Sequence, residues 1–158
     1  RIDLWLGCLW MSINPSESIN RRRRREAERW LTQSGHDLDS ARFLMQSEMY
    51  ALSCFLSHQT AEKAVSAYLY ARGVEMLWGH GLADLCEDAM AFEPSFDLIK
   101  SSAVQLDKHY LGARYPSVLP AGVPFESYSS EDGDRALVIA QDTYDFVVEQ
   151  LNLFMNDG

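Results

Sequence analysis

The chain has 158 residues, 47% of them hydrophobic, enough for one domain with a sizeable buried core. Its formal charge of −9 hides an asymmetry: from residue 26 onward 8 Lys and Arg face 21 Asp and Glu, a net of −13, while Arg21 to Arg25 stand together just ahead of that body. An acidic body disfavours non-specific duplex binding, which needs a basic face to neutralise phosphates, so a phosphate-bearing ligand has to find a local pocket of positive charge.

Residues 1 to 20 carry no sustained hydrophobic period and end in Asn14-Pro15-Ser16-Glu17-Ser18, which reads as a tail or linker. With the Arg run it makes residues 1–25 a lead-in, and residues 26–156 a single domain. The apolar opening, Arg1 to Trp10, is far shorter than the roughly 20 residues that span a bilayer. No initiating Met or small-residue cleavage motif is present, so the expectation is a piece of a longer, cytoplasmic protein. Cys8, Cys54 and Cys86 lack the close spacing of metal or redox motifs and read as free thiols.

From Glu26 a helical period begins: Ala27, Trp30 or Leu31, Ser34, Leu38, Ala41 and Met45 share one face, predicting a helix over about 24–47. A second helix is predicted over Met49 to Arg72. Its apolar residues, among them Leu52, Phe55, Ala61, Val65 and Leu69, wrap so much of the circumference that it must be central. Gly73 stops it. A short third helix, Leu82 to Ala91, follows Gly79-His80-Gly81. Pro94 suits the first turn of a fourth, whose Phe96, Ile99, Ala103, Leu106 and Tyr110 form a narrow seam. Residues 112–126 hold three of the five prolines, so they read as a long, stiff, extended and ordered loop. Ser129-Ser130-Glu131-Asp132 caps the last helix, with Ala136, Ala140, Tyr144, Val147, Leu151 and Phe154 inward. Nothing alternates like a strand, so the predicted fold is all-α, an up-and-down bundle of four long helices plus one short one.

Within the central helix, His58, Gln59, Glu62 and Lys63 place polar side chains on one face, because 58 and 62, like 59 and 63, are four apart. Two readings stand: a solvated stripe, or a cleft wall in which Gln59 and Lys63 accept an anion. Lys108, His109 and Arg114 are cations at the junction of the fourth helix and the proline-rich loop. Capping of a helix C-terminus explains Lys108 and His109 as well as phosphate binding does. Arg114, beside Tyr115-Pro116, is suited to stacking and to bidentate contacts with phosphate or carboxylate, or to an internal ion pair. His80 reads as a turn residue, and the Arg run as a solvated lead-in or a basic string of the nucleic-acid-binding type. No Gly-rich phosphate loop, zinc motif or Ser-His-Asp set is identifiable, and no metal or catalytic residue is assigned.

Trp30, Asp37-Leu38, Ala41, Tyr50-Ala51, Cys54-Phe55, Gln59, Ala61-Glu62-Lys63-Ala64, Gly73, Gly79-His80, Leu82, Tyr110 and Arg114-Tyr115-Pro116 occur in an order that resembles the HEPN domain family over about residues 26–154. The lead-in and the Ala113 to Pro120 loop resemble, within that family, the C-terminal HEPN domain of a large chaperone-related protein in which the domain follows a J domain. That resemblance implies a five-helix bundle, homodimerisation, and a purine nucleotide, GTP or ATP, in a positively charged cavity. It implies Lys63, Lys108, His109 and Arg114 around the phosphates and Gln59 and Tyr115 around the remainder, with chaperone machinery or client proteins as partners and nucleic acid disfavoured. Other family members are metal-independent ribonucleases with an Arg followed closely by His late in the bundle. Here Arg29 and His36 have that spacing only on the first helix, and Arg114 is followed by Leu119, Pro120 and Ala121, so the expectation is a non-catalytic module. Two departures stand out: Ser66 where many relatives carry a second Lys, and Gly81 where a Ser cap is common.

Overall fold

The structure is a computed structural model that describes residues 15–77 and 81–156. Its helices are α1 (Pro15–Gln46), α2 (Tyr50–Ala71), α3 (Leu82–Met90), α4 (Asp97–Ala103), α5 (His109–Gly112), α6 (Pro124–Ser127) and α7 (Ser130–Asn156), with short 3₁₀ turns at Pro94–Phe96, Val104–Leu106 and Pro116–Val118. No strand occurs among the described residues, and none of their helices is long and apolar enough to cross a membrane. The all-α bundle read from the sequence is thus the fold.

Helix α2 is the axis of the bundle, with α1 and α7 along its flanks and α3 against its far end. Small residues let α1 and α2 approach closely: Ser34 donates to the carbonyl of Thr60 (2.7 Å) and Ser53 to that of Ala41 (2.9 Å), so buried hydroxyls that would otherwise lose water stitch the pair together. Tyr68, Phe96, Leu82, Leu85, Leu106 and Val147 are fully buried, each contributing about 1.5–3 kcal/mol of apolar burial. Tyr68 packs on Phe96, whose ring meets the edge of Phe146 at 5.1 Å, tying α2, the Pro94 turn and α7 into one core.

Three boundaries depart from the sequence reading. Helix α1 starts at Pro15, so Arg21–Arg25 are helical and the limit placed after residue 25 falls inside a continuous helix. The predicted fourth helix is a chain of short α and 3₁₀ segments, and Tyr110, expected in its seam, is 46% exposed. Its apolar spacing of three, four, three and four is that of an α-helix, and only the steps of three also fit the 3₁₀ turns that interrupt it. The proline-rich segment is not extended throughout: Pro116 and Pro124 each open a helical turn after an extended Tyr115 and Val123, because proline restricts the residue before it and suits the first helical position.

Gly73 ends α2 as predicted, at φ +95°, with its amide on Tyr70 O and that of Val74 on Leu69 O, a left-handed helix stop. The Ser129 cap of α7 also forms as read: Ser129 Oγ receives the Asp132 amide, and the Asp132 carboxylate receives the Ser129 amide at 2.9 Å. Residues 1–14, with Cys8 and most of the lead-in, and the turn residues Gly79 and His80 lie outside the described residues.

Candidate functional site

The polar face of α2 is more than a solvated stripe: its side chains form a network joining three parts of the bundle. His58 is buried, and both its ring nitrogens face carboxylates: Nε2 lies 3.1 Å from Asp107 Oδ1 and Nδ1 lies 3.6 Å from Glu62 Oε2. Gln59 donates to Glu62 at 3.3 Å. Lys63 ion-pairs with Asp37 of α1, whose other oxygen receives Gln33 at 2.8 Å. Because Asp37 is buried, it needs a cation to offset its desolvation, and Lys63 supplies one.

Asp107 has a second task. Its carboxylate accepts the amides of Leu82 (2.8 Å) and Ala83 (3.2 Å), the orphan donors of the first turn of α3. Gly81 at the N-cap position has no side chain to serve them, and a Cβ there would come within 3.3 Å of Asp107 Oδ2. The glycine that departs from the family's Ser is thus compensated from another element, which approaches through the space that glycine leaves.

The six sequence-predicted site residues fall into three pairs. Gln59 and Lys63 lie together on α2, and Lys63 also lines a groove of about 710 Å³ with Arg25, Arg29, Trp30 and Gln33 of α1. Arg114 and Tyr115 form the second pair, at the other end of the same α2 face. The Arg114 guanidinium sits 4.4 Å from the ring centroid of Phe55, 4.6 Å from that of Tyr110 and 5.0 Å from that of Tyr115. Among the described residues only its Nε is hydrogen-bonded, to the carbonyl of Tyr110 at 2.7 Å. No carboxylate pairs with it among the described residues, so the internal ion pair weighed from the sequence does not form there. Phe55, Gln59 and Lys63 are successive members of one face, so the Arg114 end and the Lys63 end are about 12 Å apart along α2.

The third pair stands apart, on the α7 side. Lys108 is exposed and lines a small recess with Asp132 and Arg135. His109 is buried, with Nδ1 3.1 Å from the Tyr128 hydroxyl. Burial, aided by the neighbouring Lys108 charge, lowers its pKa to about 4, so at neutral pH it is uncharged. The expectation that His109 attracts phosphate is corrected on that ground, and Lys108 is not brought together with Lys63. Cys54 and Cys86 are free and buried, and burial pushes their thiols up to about 12, which leaves them unreactive.

Of the residues with the ribonuclease spacing, Arg29 and His36 are both exposed on α1, about 10.5 Å apart along its axis. Arg29 is paired with Glu26 at 2.9 Å. Among the described residues no group of three or more His, Cys, Asp and Glu is placed to hold a metal ion.

Sequence reasoning missed Asp37, Asp107, Phe55 and Tyr110 as parts of the site. Asp37 did leave a signal: an acidic residue between Ser34 and Leu38 on the inward face of α1 calls for a buried cation. Nothing local marks Asp107.

An all-α bundle with a charged and aromatic face on its central helix is the class that this geometry defines. The sequence pattern of the HEPN domain family matches residues 27–151, and the chain belongs to that family. It is similar to TT1696 from Thermus thermophilus at 35% identity, with 78% of this chain and 97% of that one covered and a TM-score of 0.74. ST0689, an archaeal HEPN homologue, is 37% identical over 79% of this chain and 97% of its own, with a TM-score of 0.66. An HEPN domain protein of Thermotoga maritima, TM0613, is 26% identical over 78% and 98%, with a TM-score of 0.63. No curated protein matches the chain.

Proposed function

We propose that this HEPN domain is a non-catalytic module that binds a purine nucleotide, GTP or ATP, and pairs with a second copy of itself within a larger cytoplasmic, chaperone-related protein. The chaperone-related part of this reading rests on the likeness of the lead-in and of the Ala113 to Pro120 loop to the C-terminal HEPN domain of sacsin. The observation that carries the reading is Arg114: a guanidinium stacked among Phe55, Tyr110 and Tyr115 with its terminal nitrogens unclaimed by any carboxylate among the described residues. Stacking fixes the plane of the guanidinium, and its free edge suits the bidentate recognition of phosphate. Exposed Tyr110 and Tyr115 offer aromatic faces to a base, and Gln59 and Lys63 extend the polar surface toward α1.

Lys108 and His109 take no part in this reading, since they lie on the α7 side and His109 is uncharged. Leu52, Leu111 and Val118, between 40% and 48% exposed, belong to the segments around Arg114 and suit a face covered by a second copy. Calorimetric titration with GTP and ATP, beside sedimentation over a range of concentrations, tests both halves. Binding heat and a dimer are expected; absence of heat at saturating nucleotide refutes the first half, and a monomer throughout refutes the second. Incubation with RNA discriminates the ribonuclease alternative: cleavage lost with Arg29→Ala or His36→Ala would overturn the non-catalytic reading.

A further inference from the structure

Glu62 shares a face of α2 with Phe55 and Gln59 and stands about one turn beyond Gln59. Its carboxylate has one engaged oxygen and one idle one. Oε2 receives the Gln59 amide at 3.3 Å and lies 3.6 Å from Nδ1 of His58. Among the described residues Oε1 accepts no hydrogen bond and is not buried, and no Lys or Arg pairs with Glu62.

A continuous line of contacts joins this carboxylate to Arg114. The Arg114 guanidinium packs 4.6 Å from the Tyr110 centroid, the Tyr110 ring lies 5.5 Å from that of His58, and His58 faces Glu62. Arg114 also stacks on Phe55, two turns before Glu62, so the two charges stand about 10 Å apart along the helix axis. A nucleoside triphosphate sets its phosphates and the hydrogen-bonding edge of its base apart by a similar span. That separation also exceeds the Debye length of about 8 Å at physiological ionic strength, so across solvent Glu62 repels the phosphates only weakly while it meets the base directly.

The two purines differ at that edge. An ionised carboxylate only accepts hydrogen bonds. Guanine presents two donors side by side, N1–H and the 2-amino group, which match the two carboxylate oxygens. Adenine turns the lone pair of an unprotonated N1 toward them. Hydrogen bonds to a charged acceptor are the strong ones, and an acceptor left unmatched in the wrong complex adds to the discrimination.

We infer that Glu62 is the base-selecting residue of the nucleotide site and that the ligand is a guanine nucleotide, an assignment that rests on the nucleotide reading of the Arg114 face. Arg114 grips the phosphates, Tyr110 spans the middle, and Glu62 accepts N1–H and the 2-amino hydrogen of the base.

Calorimetric titration of the wild type with GTP, ITP, XTP and ATP tests this without altering the protein. Hypoxanthine lacks the 2-amino group, and xanthine carries a carbonyl in its place. GTP binds about tenfold or more tighter than ATP or XTP, with ITP between GTP and ATP. Glu62→Gln exchanges an acceptor for a donor, so it loses the preference for GTP and binds XTP more tightly than the wild type does. A merely structural role of Glu62 would not produce that gain. Thermal melting accompanies the variant, and should it unfold, the wild-type order of GTP, ITP and ATP decides alone. Equal affinities of the wild type for GTP, ITP and ATP, or a preference for GTP that survives Glu62→Gln, overturn the assignment and leave the nucleotide reading standing. Absence of heat with all four ligands overturns both, so the two failures are told apart.

Discussion

His58 and Asp107, 49 residues apart in sequence, meet at 3.1 Å, and the Asp107 carboxylate that faces the imidazole also holds the first two amides of α3. One acid thereby fixes the central helix, the start of α3 and the segment that leads to Arg114. Asp107→Ala removes a helix cap and strips a buried imidazole of one of its two carboxylate partners. We expect a loss of about 2–3 kcal/mol, read by urea denaturation. Asp107→Asn, which keeps one acceptor oxygen, retains part of that stability.

The Lys63 and Asp37 pair has a similar asymmetry. Lys63→Met leaves a buried carboxylate unanswered and is expected to cost about 2 kcal/mol or more, whereas the double variant Lys63→Met, Asp37→Leu recovers most of the loss. A double-mutant cycle on denaturation midpoints measures the coupling. Additive effects would show that the pair contributes no interaction of its own.

His109 makes the fold sensitive to acid. Its folded pKa of about 4 lies below the unfolded value of about 6.5, so between those limits the unfolded chain binds the extra proton and stability falls as pH is lowered through that window. The full effect is on the order of 3 kcal/mol. Asp132, held below the usual carboxylate range first by the Ser129 amide, is depressed in the folded state and its contribution is lost at still lower pH. Denaturation at several pH values between 7 and 4 shows the slope, and His109→Gln flattens it. An unchanged slope in that variant would place the sensitivity elsewhere.

Glu48, in the turn between α1 and α2, adopts φ +59°, where a residue with a side chain is strained and glycine is not. Glu48→Gly therefore stabilises the domain by about 0.5–1 kcal/mol. Gly73→Ala acts in the opposite sense, since that position combines φ +95° with the close approach of Arg23. Thermal melting of the two variants separates in opposite directions from the parent.

Much of the architecture was legible because helices buried against a core announce themselves by period. Helix α2 begins and ends within one residue of its predicted limits, and α7 starts at its capping signal. The outer part of α1 was not legible for the converse reason: residues 16–25 are exposed, so no apolar stripe is needed, and pairs such as Glu17 with Arg21 support the helix instead. The site was legible as single residues but not as partnerships. Lys63 finds Asp37 across 26 positions and His58 finds Asp107 across 49, and no local spacing encodes such meetings. Arg114 was marked by its aromatic neighbour in sequence, while Phe55, which completes its stack, came from another helix.

If Arg114 grips the phosphates, GTP and ATP titrations of the wild type, Arg114→Lys and Lys63→Met will separate its part from that of Lys63. Lysine keeps the charge but neither stacks as a plane nor grips phosphate with a fork. Arg114→Lys is expected to weaken nucleotide binding by about tenfold or more, while Lys63→Met, which removes a charge already engaged by Asp37, changes it much less. Unaltered binding in Arg114→Lys, or a larger loss in Lys63→Met, would remove Arg114 from the site.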